Sequence, residues 1–285
     1  MCPPIADFGV TMAVASSPDF VSLLDGKVRV PVSLEDVKEE YRSAKPFPHV
    51  VLDNLFFDGS LEPMLAEISE MSKDQWMDVD RDPRERTVRM RSAAEMREAG
   101  AHILGIVHSA AFLYLLTEIT GVKQLLPDPY LQGGGFAVMR RGDYFDVHAD
   151  RSVAYETGLI RRLAMIIFLN KEWDPSYHGE LELWSSDGKR AEVAVEPLYN
   201  RTVLFEVAYP NFHGVPAPLA CPQNRMRQSF IVYYHTVPVE GQEAVKPHST
   251  IFAPRVHDTP SAVMRSVVRE VTPPFLRRIA RRFLD

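Results

Sequence analysis

The stretch from residue 134 to residue 236 constrains the fold most. Seven short β-rich runs follow one another there: GGFAVM (134–139), YFDVHA (144–149), LAMIIFLN (163–170), ELELW (180–184), EVAVEP (192–197), TVLFEV (202–207) and QSFIVYYHT (228–236). Short strands at this spacing, with turn residues between them, predict an all-β barrel or sandwich. The first half of the chain reads differently. SLEDVKEEYRSA (33–44) opens with Ser-x-x-Asp, a helix start. FPHVVLDNLF (47–56) reads as a strand entering a turn. SLEPMLAEISEMS (60–72) puts Leu61, Met64, Leu65 and Ile68 on one helical stripe. The charged run RERTVRMRSAAEMREAG (84–100) is expected to be a solvated segment or helix, and AHILGIVHSAAFLYLLTEITG (101–121) reads as one long apolar helix closed by Gly121. Helices first and strands later predict an α+β chain, with helices packed on one side of a β core. The expected division is an N-terminal extension over 1–45, a main domain over 46–236 and a C-terminal extension over 237–285. Within the main domain, helices are expected over 60–121 and strands over 130–236.

Bulk properties narrow the function classes. The 285 residues are 46% hydrophobic and 25% charged, as in a soluble globular chain with one large domain. A formal net charge of −6 argues against general nucleic-acid binding. The charge is uneven, since residues 265–285 carry six Arg against Glu270 and Asp285. Cys2 and Cys221 have no zinc-ligand spacing and do not suggest a structural disulfide, so a reduced, cytoplasmic chain is expected. The N-terminus lacks a basic region and carries Asp7, which makes it a poor signal peptide. No apolar run reaches the roughly 18 residues of a membrane span.

The chemistry begins at YFDVHADRS (144–152). His148 and Asp150 lie two apart, so they share a face of an extended strand, and Asp146 shares it too. An imidazole and a carboxylate placed this way are a surface ion pair or two metal ligands, with Asp146 competing for the role of Asp150. His213, in YPNFHGVPAP, is the best-placed third ligand because it follows the apolar run TVLFEV by a short loop. The remaining histidines, at 49, 102, 108, 178, 235, 248 and 257, read as structural or surface residues. Two His and one carboxylate with open positions form the facial triad of non-haem Fe(II) oxygenases. A second signal lies in RMRQSFIVYYHT, which begins 12 residues after His213. As a strand it puts Arg227, Ser229, Ile231 and Tyr233 on one face. An Arg pointing into an apolar barrel needs a partner, either a protein carboxylate or an acidic ligand.

The order His148-x-Asp150, then His213-Gly214, then Arg227-x-Ser229 resembles the Fe(II)/2-oxoglutarate-dependent dioxygenases, closest to the prolyl-4-hydroxylase-like branch. The resemblance runs from PFPHVVLDNLF (46–56) to YYHT (233–236), through GDYFDVHAD, RRLAMIIFLNKEW, GELELW, NRTVLFE and FHGVPAPLACPQNRMRQSF. It implies a double-stranded β-helix, or jelly roll. It implies Fe(II) held by His148, Asp150 and His213, and 2-oxoglutarate held by Arg227 with Ser229 helping. Dioxygen is then the oxidant, an unactivated C–H bond is hydroxylated, and succinate and carbon dioxide are released. Arg225 is a nearby alternative for the clamp at the wrong spacing, and Gln132 and Arg162 are weaker ones. Met139 stands where many relatives have a Tyr against the cosubstrate, and the IIFLN run lacks another such Tyr.

The expected substrate is a small molecule or saccharide, with an anionic one allowed by the surplus of Arg. Peptidyl-prolyl hydroxylation is the alternative within the family, and a non-catalytic metal- or sugar-binding jelly roll the alternative outside it. A zinc hydrolase on the same fold is a further reading. TPPFLRRIARRFL (272–284) reads as a short basic amphipathic helix. It docks on the barrel, forms a dimer contact, or touches an anionic membrane surface.

Overall fold

The computed structural model describes residues 24, 26–31, 33–90, 92–238 and 246–254. The calls on 1–23 and on the amphipathic helix at 272–284 lie outside the described residues. The order is α1 (Leu34–Ser43), β1 (His49–Asp53), α2 (Glu62–Glu70), β2 (Trp76–Asp82), β3 (Glu85–Met90), α3 (Glu98–Val107) and α4 (Ala110–Thr120). There follow β4 (Leu126–Pro127), β5 (Gly135–Met139), β6 (Tyr144–Ala149), β7 (Ile160–Phe168), β8 (Leu181–Trp184), β9 (Ala191–Val195), β10 (Arg201–Glu206), β11 (His213–Val215), β12 (Arg227–Thr236) and β13 (Ile251–Phe252). Each of the seven sequence runs becomes a strand, β5 to β10 and β12, within three residues at either end.

The strands form one curled antiparallel sheet in the order β1-β10-β7-β12-β5-β3-β6-β11-β8-β9. Two four-stranded halves, β10-β7-β12-β5 and β6-β11-β8-β9, are joined through β3. This is the arrangement of a double-stranded β-helix. The first half is buried on both faces, which is why its strands read as continuous apolar runs. Leu163, Met165 and Ile167 of β7, with Phe230, Val232 and Tyr234 of β12, join one core with Ile103, Phe112 and Leu115 of the helices. The alternate residues Ala164, Ile166, Phe168 and Tyr233 join an inner core with Leu181, Leu183, Val203 and Phe205. The helices therefore cover one face of this half, and the other face looks into the barrel.

Three expectations need correction. Within 84–100, expected as a solvated segment or helix, residues 85–90 instead form β3, which pairs with β5 and β6, and only the end from Glu98 is α-helical. Val88 and Met90 are buried in the helix-side core. The stretch 60–121 is not purely helical, since β2 and β3 lie within it. The long helix at 101–121 is two helices meeting at 51°. The break is at Ser109, whose side chain caps α4 by accepting from the Phe112 N–H at 3.2 Å. Gly121 closes α4 as expected, at φ +73. Among the described residues no single helix is long and apolar enough to cross a membrane.

Candidate active site

Adjacent strands of the second half bring the metal-ligand candidates together. His148 on β6 and His213 on β11 are direct cross-strand partners, and Asp150 follows the end of β6. The His148 Nε2 and His213 Nε2 atoms each lie 3.7 Å from a different Asp150 carboxylate oxygen. One ligand atom from each of the three residues lies within 4.8 Å of the others, and all three residues are buried.

Backbone carbonyls set the orientation of both rings. His148 Nδ1 donates to the Asp146 carbonyl at 2.7 Å, and His213 Nδ1 to the Asn211 carbonyl at 3.3 Å. With the proton on Nδ1, each Nε2 presents its lone pair toward Asp150. Burial pulls the His148 imidazole down to about 3, with His213 pulling the same way and Asp150 opposing. Burial also lowers His213. For Asp150, burial raises the carboxyl, but His213, His148, Arg161 and Arg89 outweigh it and hold it below the usual carboxylate range. At neutral pH the cluster is therefore two neutral imidazoles and one carboxylate. Asp150 Oδ2 is buried and accepts no hydrogen bond. Convergent lone pairs with an orphaned carboxylate oxygen suit a divalent cation.

Strict strand alternation would bring Asp146 to this face as well, yet Asp146 is not part of the cluster. The register shows why. β11 residues 213 and 215 pair with β6 residues 148 and 145, so β6 carries a bulge between them. Phe145, rather than Asp146, stacks on the His148 ring at a centroid distance of 3.8 Å and lines the cavity. Gly214 makes the bulge possible. A Cβ there would sit 2.9 Å from the Phe145 carbonyl oxygen and 3.0 Å from that of Asp146. The second oxygen is the one that orients His148. The variant Gly214→Ala is accordingly expected to lose about tenfold or more in divalent-metal affinity while the chain still folds. Manganese titration alongside thermal melting measures this, and an unchanged affinity would show that the Asp146 carbonyl moves without consequence.

The cluster opens into a cavity of about 60 Å³ between the two sheet halves. Arg227, Ser229, Ile231 and Tyr233 all line it, as the β12 alternation predicts. Arg227 is 5% exposed. Its Nε donates to the Gly179 carbonyl at 2.6 Å, and its guanidinium lies 4.9 Å over the Phe168 ring. Among the described residues no carboxylate pairs with it within 4.0 Å. Burial pulls the guanidinium down to about 10, with Glu180 opposing from a distance, so it remains a buried cation at neutral pH. Ser229 Oγ is 3.4 Å from the Ala137 carbonyl. Met139 also lines the cavity, with its sulfur 3.8 Å from Arg227 Nη1.

The other candidates fall elsewhere. Arg225 donates to the Lys171 and Glu172 carbonyls at 2.6 and 2.9 Å and does not line the cavity. Arg162 lines a separate cavity of about 370 Å³, and Gln132 one of about 320 Å³. None of the other described histidines lines the metal cavity, and His257 lies outside the described residues. Sequence reasoning missed Thr87, Arg89 and Phe145, all of which line it. For Thr87 and Arg89 a signal was present, since Arg-Thr-Val-Arg-Met alternates with Val88 and Met90 on the core side.

Comparison with known proteins agrees with this arrangement. The family model described as 2OG-Fe(II) oxygenase superfamily matches residues 134–235. No curated protein matches the sequence at a significant level. Among solved structures, a Pseudomonas putida prolyl-4-hydroxylase is 19% identical, with 71% of this chain and 98% of that chain covered and a TM-score of 0.51. A Trichoplax adhaerens prolyl hydroxylase in complex with a hypoxia inducible factor peptide fragment is 16% identical, covering 70% and 87%, at a TM-score of 0.49. HygX from Streptomyces hygroscopicus, with nickel, 2-oxoglutarate and hygromycin B bound, is 12% identical, covering 72% and 92%, at 0.46. The family uses Fe(II), 2-oxoglutarate and dioxygen. His148, Asp150, His213, Arg227 and Ser229 all fall inside the segment that matches the 2OG-Fe(II) oxygenase superfamily model, and the chain has a fold similar to that of a prolyl-4-hydroxylase.

Proposed function

We propose that the chain hydroxylates an unactivated C–H bond of a small-molecule or saccharide-type substrate, with His148, Asp150 and His213 holding Fe(II) and Arg227 holding 2-oxoglutarate. The observation that carries this reading is one cavity lined by both a ligand triad and a buried guanidinium that no carboxylate pairs with among the described residues. Two neutral imidazoles and a carboxylate leave coordination positions open for cosubstrate and oxidant. Iron bound there would supply the centre for dioxygen activation and for oxidative decarboxylation of 2-oxoglutarate to succinate and carbon dioxide.

The chain's own residues do the rest. The Asp146 and Asn211 carbonyls keep protons on the Nδ1 atoms, so both Nε2 atoms remain ligands. Arg227 pairs with the distal carboxylate of the cosubstrate and so removes the penalty of its own burial. Ser229 stands two residues along the same face and donates beside it. Phe145, Leu181, Phe205 and Ile231 line the cavity and exclude water. A reduced, cytoplasmic setting for this chemistry is part of the proposal. The test is succinate release from 2-oxoglutarate under air with added Fe(II). Absence of succinate from a folded, iron-loaded chain, with or without candidate substrates, would leave the reading without support and favour a binding protein.

A further inference from the structure

We propose that the substrate carries an acidic group, a carboxylate or a phosphate, which Arg151 and Arg161 bind beside Asp150 with Arg89 completing the site. The inference rests on the oxygenase reading above and adds a substrate class to it. Arg161 is 2% exposed. Its guanidinium lies 3.5 Å over the ring of Tyr233, a residue that lines the metal cavity. Its Nη2 donates to the Gln132 carbonyl at 2.6 Å, while its Nε is buried with no partner. Arg151 lies 4.2 Å over the Tyr155 ring. Among the described residues no carboxylate pairs with Arg151 or Arg161 within 4.0 Å. Arg89 lines the metal cavity, donates to the Gly133 carbonyl at 2.7 Å and pairs with Glu85 at 2.9 Å. Arg161 and Arg89 both act on the Asp150 carboxylate, and Arg151 feels Asp150 and Arg161.

Arg89 and Arg161 are thus tied to adjacent carbonyls of the 132–133 loop, with Arg161 also lining the cavity of about 370 Å³. Arg151 follows Asp150 in the chain and stacks on Tyr155, whose N–H donates to Gln132 Oε1; the nearby carboxylates are those of Glu85 and Asp150. A divalent ion on the triad would add to the positive excess. Buried cations are costly unless an anion meets them. The chain has fixed Arg89 and Arg161 in place with the carbonyls of one loop, which orient a guanidinium without neutralising it. That loop is held in shape by Asp128, which accepts from the Tyr130 and Gln132 N–H groups at 3.0 Å each. The buried carboxylate of the loop therefore serves backbone amides and leaves the arginines charged. Arg89 also lines the neighbouring cavity of about 320 Å³, together with Tyr130, Gln132 and Glu156. That space is large enough for the polar body of a small acid whose charged end reaches the arginines.

The experiment uses the full chain loaded with Mn(II) and 2-oxoglutarate in the absence of dioxygen. Benzoate, phenyl phosphate and neutral benzyl alcohol are titrated by calorimetry. At least one acid is expected to bind at least tenfold more tightly than benzyl alcohol, and which one binds distinguishes carboxylate from phosphate. Arg151→Gln and Arg161→Gln are each expected to remove about tenfold of that affinity, while the dissociation constant of 2-oxoglutarate stays within about twofold. If Arg161→Gln melts early, the half-buried Arg151→Gln decides. The proposal is overturned if neither acid outbinds the alcohol, if the variants bind the acids as the wild type does, or if they lose 2-oxoglutarate instead. A wild-type chain that binds neither metal nor 2-oxoglutarate contradicts the oxygenase reading. In that case the same acid titrations without them still decide the arginine site.

Discussion

Alanine at His148, Asp150 or His213 is expected to abolish divalent-metal retention and 2-oxoglutarate turnover, whereas alanine at Asp146 is expected to leave both within severalfold of wild type. Each of the three ligand residues is buried, and each contributes one of three atoms within 4.8 Å of one another. Removing one leaves two ligands around a centre that needs three fixed ones to keep its open positions facing the cosubstrate. Loss of Asp150 is the most severe electrostatically. Its carboxylate is the only anion in the cluster, and without it two neutral rings remain. Asp146 differs because it orients His148 through the main chain. Its carbonyl holds His148 Nδ1, and the carbonyl survives the substitution. Metal content after desalting, read by elemental analysis, and succinate release measure the two effects separately. A dead Asp146→Ala beside an active Asp150→Ala would reverse the ligand assignment and place the bulge of β6 elsewhere.

That bulge marks where the sequence stopped being legible. Alternation put Asp146, His148 and Asp150 on one face, and nothing in the letters says that β6 slips by a residue. The slip becomes visible only in its pairing with β11, where close approach requires Gly214. By contrast β12 keeps its register through the cavity, and Arg227, Ser229, Ile231 and Tyr233 all reach the site as alternation requires. The seven strand runs were readable because both faces or one face of each strand are buried, and burial is what hydrophobic pattern records. The run 84–90 failed for the opposite reason. A charged side chain lining a ligand cavity is written the same way as one in solvent, so Arg89 looked like surface. The helix break at Ser109 failed because apolar residues on both sides masked a capping serine. The order His-x-Asp, His-Gly, Arg-x-Ser carried the fold further than propensity alone, since it tied three strands distant in sequence to one point.

Alanine at Arg227 is expected to weaken 2-oxoglutarate binding by about 10- to 100-fold, the loss of a charge-assisted hydrogen-bonded pair worth about 1.5–3 kcal/mol, while metal affinity changes little. The ligand triad does not depend on this side chain. The Arg227 guanidinium touches Gly179, Met139 and Phe168, and none of these is a metal ligand. Its charge is unpaired in a cavity lined largely by apolar side chains, so a bound carboxylate gains the full benefit of a desolvated cation. Lysine at this position retains charge but loses the planar fork and the bond from Nε to the Gly179 carbonyl. It is therefore expected to recover only part of the affinity. Gly179→Ala tests the same geometry from the other side. Gly179 sits at φ +96, and a Cβ there would lie 3.1 Å from Arg227 Cδ. The added methyl displaces the arginine without removing it, so the 2-oxoglutarate requirement should rise by less than in Arg227→Ala, with metal retention again intact. Isothermal titration of 2-oxoglutarate into manganese-loaded protein ranks the variants. A ranking in which Arg227→Ala binds 2-oxoglutarate as wild type, while Arg161→Gln does not, would move the cosubstrate to the arginines beside Asp150.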